Sequence, residues 1–270
     1  MNQTLGLITG NGLLPSVVLR EAKRTGYRAA VCAIQGETDP LIASSADAIT
    51  WIRLGQLGKI LKFFKAQGVR EAIMAGKITK TNLFHGDIRP DLEMIKVLTK
   101  ARNHSDDSLL GGIADHLNTK GIKLLDSTTF LSKDTLPQAG ILTTRKPSKK
   151  ELVDIEFGWK LAKEMGRLDI GQTVVVKNQT ILAVEAIEGT DEAILRGGIL
   201  GNGGVTVVKV AKPKQDMRFD VPVIGLRTLE AMIKAKAQVL AFEAGKTIIL
   251  ERERLVAKAN EHRITIIAKG

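Results

Sequence analysis

Residues 5–9, Leu-Gly-Leu-Ile-Thr, form a short apolar run that stops at Gly10-Asn11-Gly12 and passes at once into an amphipathic pattern. Leu14, Val17, Val18, Glu21 and Ala22 recur at helical spacing, and Gly26 follows where glycine commonly closes a helix. The alternation then repeats. Strands are expected over residues 28–34, 46–52, 69–75 and 121–125, with helices over 58–67, 91–102 and 108–120 between them. Strands that alternate with helices of this length specify a parallel sheet covered by helical crossovers. This pattern predicts a Rossmann-like domain over residues 1–132.

The texture changes between Leu136-Pro137 and Lys149-Lys150, where prolines and a basic cluster read as a linker or hinge over 133–147. Ser148 with Glu151 three residues later is a capping box opening a helix that carries Leu152, Ile155, Phe157, Trp159 and Leu161 toward Met165. Strands over 173–177 and 180–186 flank Asn178-Gln179, a hairpin signal. Further strands at 205–210, 239–243, 247–250 and 264–267, with helices near 191–197 and 227–235, give a mixed domain over 148–270. The expected fold class is therefore α/β with two domains, an N-terminal Rossmann-like parallel-sheet domain and a C-terminal mixed α/β catalytic domain joined by a hinge.

Composition narrows the chemistry. The 40 Lys and Arg outnumber 29 Asp and Glu, for a net charge of +11. Such an excess favours an anionic partner, whether nucleic acid, an anionic lipid surface or a phosphorylated small molecule. Aromatic residues are only 4% of the chain, which leaves few platforms for base stacking, and no zinc-finger spacing or RNP-like run is present. Nucleic acid is therefore not the expected partner. A single cysteine, Cys32, excludes an internal disulfide framework and multi-cysteine metal sites. No run of apolar residues approaches the ~18 that suggest a membrane span. The N-terminus, passing directly into a strand, does not read as a signal peptide, so the expected location is cytoplasmic. His85, His104, His116 and His262 are scattered, and no HExxH, Gly-x-Ser-x-Gly or GxxxxGK[ST] motif occurs.

Candidate binding residues follow from position. Gly10, Asn11 and Gly12 lie between the first strand and helix, where backbone amides suit a phosphate, although a purely structural turn explains the glycines equally well. The third glycine of the dinucleotide fingerprint is absent, Pro15 standing in its place, and no clear acidic residue ends the second strand. Gly76 and Lys77 follow the fourth strand and should share an edge with that turn. Asp106-Asp107 is explained by its place before an apolar helix. In the second half, Val184-Glu185-Ala186-Ile187-Glu188-Gly189-Thr190-Asp191 carries three carboxylates at a strand-to-helix transition. Capping accounts for part of this run, but Glu185 in an apolar strand needs a lysine, an arginine or a metal. The loop from Lys212-Pro213 to Asp220-Val221-Pro222 mixes cations with Asp216 and Asp220. Carboxylates from two segments beside lysines and arginines suit Mg²⁺-assisted reaction at a phosphate or diphosphate.

These residues resemble a known family. The segments Leu5-Gly6-Leu7-Ile8-x-Gly10-x-Gly12-x-Leu14-Pro15, Gly166-Arg167-x-Asp169-Ile170-Gly171-Gln172, Ala183-Val184-Glu185-Ala186-x-Glu188-Gly189-Thr190-Asp191 and Lys212-Pro213-x-Gln215-Asp216-x-Arg218-x-Asp220-x-Pro222 are similar to the LpxI family, nearly end to end. The chain departs from the family pattern at Asn11 and Ser105, where glycine is common. The resemblance implies Mg²⁺-dependent hydrolysis of UDP-2,3-diacylglucosamine to UMP and 2,3-diacylglucosamine 1-phosphate, with water attacking the β-phosphorus in a cleft that two domains close. It maps the family's critical aspartate to Asp220, expected both to act in catalysis and to hold metal. Asp216, Glu185, Lys212 and Arg218 are the further catalytic candidates, and Glu188 and Asp191 the further metal candidates. Gly10, Asn11, Gly12, Gly76, Lys77, Gln172, Gly189 and Thr190 are the expected substrate-binding residues. A substrate with two acyl chains also implies peripheral contact with an anionic inner-membrane surface, and a homodimer is left open. The alternative reading is a non-catalytic protein that binds a nucleotide-sugar or lipid phosphate.

Overall fold

A computed structural model of the chain describes residues 3–78, 90–99 and 106–270, with the side chains of 106–108 outside the description. The expectations for His85, His104 and Ser105, and for the side chains of Asp106 and Asp107, lie outside the described residues. The chain divides into two compact units. One holds the residues through Leu131 together with Asp216–Asp220, and the other holds Ser132–Gln215 and Val221–Gly270.

In the first unit, β1 (Thr4–Thr9), α1 (Leu14–Arg24), β2 (Arg28–Ile34), β3 (Ala48–Ile52), α2 (Leu57–Ala66), β4 (Glu71–Ala75), α3 (Leu92–Leu98), α4 (Asp106–Thr119) and β5 (Lys123–Leu124) follow one another. All five strands are parallel, in the order β3-β2-β1-β4-β5. The central β1 and β2 are buried along almost their whole length, which explains why they read as continuous apolar runs rather than alternating ones. Helix α1 buries Leu14, Val18, Leu19 and Ala22 at helical spacing and carries Pro15 in its first turn, where a missing N–H costs nothing. The chain winds outward from β1 to β3 and then crosses to β4, so the winding direction reverses between β1 and β4. That reversal point marks where doubly wound sheets open to ligands at the carboxyl ends of their strands.

The second unit contains β6 (Gly140–Ile141), α5 (Lys149–Arg167), β7 (Thr173–Lys177), β8 (Thr180–Val184), α6 (Thr190–Leu200), β9 (Thr206–Lys209), β10 (Val223–Ile224), α7 (Leu226–Lys234), β11 (Val239–Glu243), β12 (Ile248–Ile249), α8 (Arg252–Glu261) and β13 (Thr265–Lys269). Six strands form a mixed sheet, β6-β13-β11-β9-β7-β8, and β10 pairs with β12 alone. Alternate residues face opposite layers. Val174, Val176 and Val208 pack with Ile155 and Ala162 of α5, while Val175 and Val207 pack with Ile194 of α6 and Leu229 and Met232 of α7. The capping box is present: Ser148 Oγ accepts from Glu151 N at 3.3 Å, and Glu151 Oε2 accepts from Ser148 N at 2.7 Å. Asn178 and Gln179 both adopt positive φ (50° and 56°), the conformation of a tight β7–β8 turn.

Two expectations about organisation change. Residues 133–147 are built into the second unit rather than strung as a linker. Thr135 O and Pro137 O accept from Ile249 N (2.8 Å) and Gly245 N (2.9 Å), and β6 pairs with β13. Backbone groups satisfied this way make the segment an edge of the sheet in spite of its prolines and lysines. In addition, Asp216–Asp220 leaves the unit that surrounds it in sequence and packs with the first one. Strand β6, the β10–β12 pair and helix α8 were not all legible: β6 and α8 were unanticipated, and β12 was expected without its partner β10.

Candidate functional site

The carboxyl edge of the parallel sheet collects eight of the candidates. Beyond β1 and β4, Gly10 N donates to Ala75 O at 2.9 Å, Asn11 N to Lys77 O at 2.7 Å and Lys77 N to Asn11 O at 3.0 Å. This antiparallel bridge joins the two turns. A Cβ on Gly10 would stand 2.5 Å from Lys77 O, and one on Gly76, whose φ is +96°, would stand 2.8 Å from Asn11 O. Mutual contact of the turns is thus what demands these glycines. The Gly10 and Asn11 amides are spent on the bridge, which leaves Gly12 and the start of α1 as the region able to receive an anion. Its N-cap, Leu13, supplies no side-chain cap.

The 216–220 segment docks on the same edge. Ser127, three residues past β5, donates its amide to Met217 O at 2.9 Å. Its hydroxyl lies 2.8 Å from Arg218 O and 2.7 Å from Met74 O of β4, with one proton to share between them. Phe219 packs against the first unit's core. Asp220 N donates to Asp216 O at 2.9 Å, which winds the segment into a turn. Arg218 grips Asp216 through Nε and Nη2 at 2.6–3.1 Å. That grip holds the Asp216 carboxyl below the usual carboxylate range. Asp115 and Asp126 contribute further negative charge around Arg218.

A cavity of about 680 Å³ opens at the other end of this edge, lined by residues including Gln35, Glu37, Asp39 and Trp51. None of these was singled out from the sequence. Glu37 sits in a turn three residues past β2, where a search for an acid at the strand end misses it.

The second unit holds the remaining seven candidates. Glu185 is buried at the end of β8, and its Oε1 accepts from Thr190 Oγ1 at 2.8 Å. Lys209, 4% exposed in β9, donates to Thr190 Oγ1 at 2.7 Å. Burial pushes the Glu185 carboxyl up, but the Lys209 charge and the hydrogen bonds around it outweigh burial and hold it below its ordinary value. The cation that the apolar context of Glu185 requires is therefore Lys209. Gln172 Oε1 is buried without a hydrogen-bond partner among the described residues. Gly189 takes φ +86° as the N-cap of α6. Glu188 accepts from Arg196 at 2.7 Å and from Ala186 N at 3.1 Å, and the Arg196 contact holds its carboxyl below the usual range. Asp191 lies 3.8 Å from Arg227. Lys212 Nζ donates to Asp169 Oδ1 at 2.6 Å.

These placements bear on Mg²⁺. Among the described residues no group of three or more His, Cys, Asp and Glu side chains is arranged to hold a metal ion. Glu188 and Asp191 belong to one unit and Asp220 to the other. Asp216 and Glu188 are each engaged by an arginine. The donor set does not fit a caged ion.

The family model of the LpxI N-terminal domain matches residues 4–133, and that of the LpxI C-terminal domain matches residues 138–267. The chain belongs to the LpxI family. Over 269 residues it is 32% identical to the UDP-2,3-diacylglucosamine pyrophosphatase LpxI of Caulobacter vibrioides, covering 95% of this chain and 94% of that protein. The LpxI C-terminal match begins at residue 138, ahead of Ser148, in keeping with the pairing of β6 inside the second unit.

Proposed function

We propose that this LpxI protein is an enzyme that hydrolyses the diphosphate of UDP-2,3-diacylglucosamine to UMP and 2,3-diacylglucosamine 1-phosphate. The observation that carries the reading is family membership across both units, with a relative of matching length that bears the name of this pyrophosphatase. The carboxyl-edge geometry supports it. A water oxygen bonds to the β-phosphorus, the bond from that phosphorus to the bridging oxygen breaks, and UMP leaves with the bridging oxygen.

In this reading Asp220 orients the attacking water and accepts its proton, or holds Mg²⁺ beside the phosphates, and Arg218 offers positive charge to the diphosphate. Because Asp216 fixes two of its nitrogens, Arg218 presents the remaining N–H groups in one orientation rather than many. Lys77 adds charge for the phosphates, and the Gly12–Leu13 start of α1 receives one phosphate through backbone amides. Glu185 and Thr190 act with Lys209 as a buried support for the loop 185–190. Mg²⁺ would neutralise phosphate charge and polarise a phosphoryl oxygen.

Among the described residues no helix is long and apolar enough to cross a membrane. With a net charge of +11 and a diacylated substrate, peripheral docking to an anionic surface is the mode of access we infer. Purified protein incubated with UDP-2,3-diacylglucosamine and Mg²⁺ tests the reaction. Catalytic release of UMP is expected, whereas stoichiometric binding without release would identify a carrier.

A further inference from the structure

The geometry points to a binding site for a phosphate monoester, either a soluble ester or a phospholipid headgroup, in a cationic cavity at the amino ends of β4 and β5. The inference goes beyond the diphosphatase reading and does not rest on it, because the Gly10–Gly12 and Gly76–Lys77 turns lie at the opposite, carboxyl edge of the same sheet. A cavity of about 580 Å³ lies where α2 and α4 end and α3 begins. Its walls carry Lys62, Lys65, Arg70 and Lys120, with Glu93 as the one acid. That volume suits a small ligand or a headgroup.

The balance of charge selects the ligand. The four cations of the lining exceed its one acid by three. Lys96, His116 and Lys120 hold the Glu93 carboxyl down to about 2, so that charge is already answered. Lys62, Lys65 and Arg70 are exposed, and none pairs with a carboxylate among the described residues. Lys62 and Lys65, three positions apart on α2, also repel each other. Helix dipoles explain only part of this. The carboxyl ends of α2 and α4 each carry about half a negative charge, which offsets about one of the surplus positive charges and leaves about two. Nor are the lysines needed as caps. Gln67, Gly68 and Val69 donate their amides to Phe63 O, Lys65 O and Phe64 O at 2.9–3.2 Å, and Gly121 and Ile122 donate theirs to Asn118 O and Leu117 O at 3.0 Å. A phosphate monoester, at about −1.5 to −2 near neutral pH, matches the remainder. A phosphodiester or a carboxylate, with a single charge, matches it less well, and no aromatic ring lines the cavity to stack a nucleobase.

The cations stand on fixed backbone. Arg70 O accepts from Lys123 N at 2.8 Å, which pins Arg70 beside the start of β5. Glu93 lies 3.6 Å from Lys120 and 2.6 Å from His116 Nε2, so one carboxylate near the start of α3 steadies the end of α4. Gly68, at φ +67° and with nothing within 4 Å of a Cβ, turns the chain out of α2 and keeps the mouth of the cavity clear. A helix, a loop and a second helix end thus bring residues 62, 65, 70 and 120 to one place.

A full-length variant combining Lys62→Gln, Lys65→Gln and Arg70→Gln tests the site, since all three positions are exposed. The probe is sn-glycerol 3-phosphate, titrated by calorimetry at low salt into the parent and the variant, both of which keep the residues proposed for hydrolysis. The variant is expected to lose one equivalent of bound ester, or to bind it at least about tenfold more weakly, in line with the loss of charge-assisted contacts. Should the triple variant fail to fold, Arg70→Gln alone is expected to weaken binding in the same direction. Cosedimentation with phosphatidylcholine vesicles that carry phosphatidic acid, or phosphatidylglycerol at the same surface charge, separates the two sources. Loss of the ester together with loss of binding to phosphatidic acid but not to phosphatidylglycerol assigns the site to a lipid headgroup. Loss of the ester with vesicle binding equal to the parent's assigns it to a soluble ester. Equal stoichiometry and affinity for the ester in the folded variant, or a loss on phosphatidylglycerol as large as on phosphatidic acid, would overturn the site.

Discussion

The backbone amide of Ser127 donates to the carbonyl of Met217 at 2.9 Å, and the Ser127 hydroxyl lies 2.8 Å from the carbonyl of Arg218. This staple brings a five-residue piece of the C-terminal sequence onto the N-terminal sheet. Ser127→Ala removes the hydroxyl and leaves two acceptors short of one donor, a cost of about 1–3 kcal/mol. Because positioning errors of an ångström cost up to about 100-fold in rate, kcat is expected to fall by about tenfold or more while the melting temperature drops only a few degrees. Steady-state kinetics and thermal unfolding of the same sample check this. An unchanged kcat would show that the staple does not position Asp220.

Asp220→Asn keeps the shape of the side chain and removes its charge. Turnover is expected to fall by at least about 100-fold, in line with losing a general base or a metal-holding carboxylate, while substrate still binds. Copurification of intact substrate, read by mass spectrometry, together with the rate, separates loss of chemistry from loss of binding.

The Glu185–Thr190–Lys209 cluster makes a pH-dependent contribution to stability. The Glu185 carboxyl sits below its ordinary value in the folded protein, so its contribution is present above the unfolded carboxylate pKa and is lost as pH falls through the lowered one. Lys209→Met reverses the balance by leaving burial to act without its main opponent. The variant is expected to lose about 3–5 kcal/mol at neutral pH, and the deficit should narrow from neutral toward acidic pH as Glu185 protonates. Urea unfolding across that range measures it, and a deficit independent of pH would contradict the assignment.

Gly76→Ala places a methyl 2.8 Å from Asn11 O at a φ of +96°. Both the contact and the backbone conformation are unfavourable, so about 1–3 kcal/mol of destabilisation is expected in denaturant titrations. Gly111→Ala is the matched control, since a Cβ there meets nothing within 4 Å and its φ is not in the left-handed region. Equal midpoints for the two variants would remove the close contact of the turns as the reason for glycine.

Electrostatic docking predicts salt dependence. Raising NaCl from about 50 to 500 mM should weaken binding to vesicles containing anionic lipid, because each cation near such a surface contributes only about 1 kcal/mol and is screened. Cosedimentation measures the effect. Binding that ignores salt would place the interaction in apolar contacts instead.

Much of this architecture is local enough to be read from the chain. Apolar runs alternating with amphipathic helices gave the parallel sheet, Ser148 and Glu151 marked the start of α5, and Asn178-Gln179 marked the β7–β8 turn, since each rests on neighbours in sequence. The need of Glu185 for a cation was legible as a physical requirement, although Lys209, 24 positions away, became identifiable only once β7, β8 and β9 were paired. The docking of 216–220 was not legible. Its hydrogen bonds reach Ser127 across 91 positions, and a segment of five residues carries no periodicity to announce its neighbours. Glu37 escaped notice because its turn, not its strand, carries it to the cavity. The pairing of residues 133–147 was hidden by a composition of prolines and lysines typical of linkers, while their backbone groups were already committed to β13 and the turns around β12.

In the proposed hydrolysis, water attacks the β-phosphorus of UDP-2,3-diacylglucosamine. Hydrolysis in ¹⁸O-labelled water, with mass analysis of both products after partial turnover, tests it most directly. Label is expected in 2,3-diacylglucosamine 1-phosphate and none in UMP. Label in UMP, or no product at all from folded protein supplied with Mg²⁺, would contradict it.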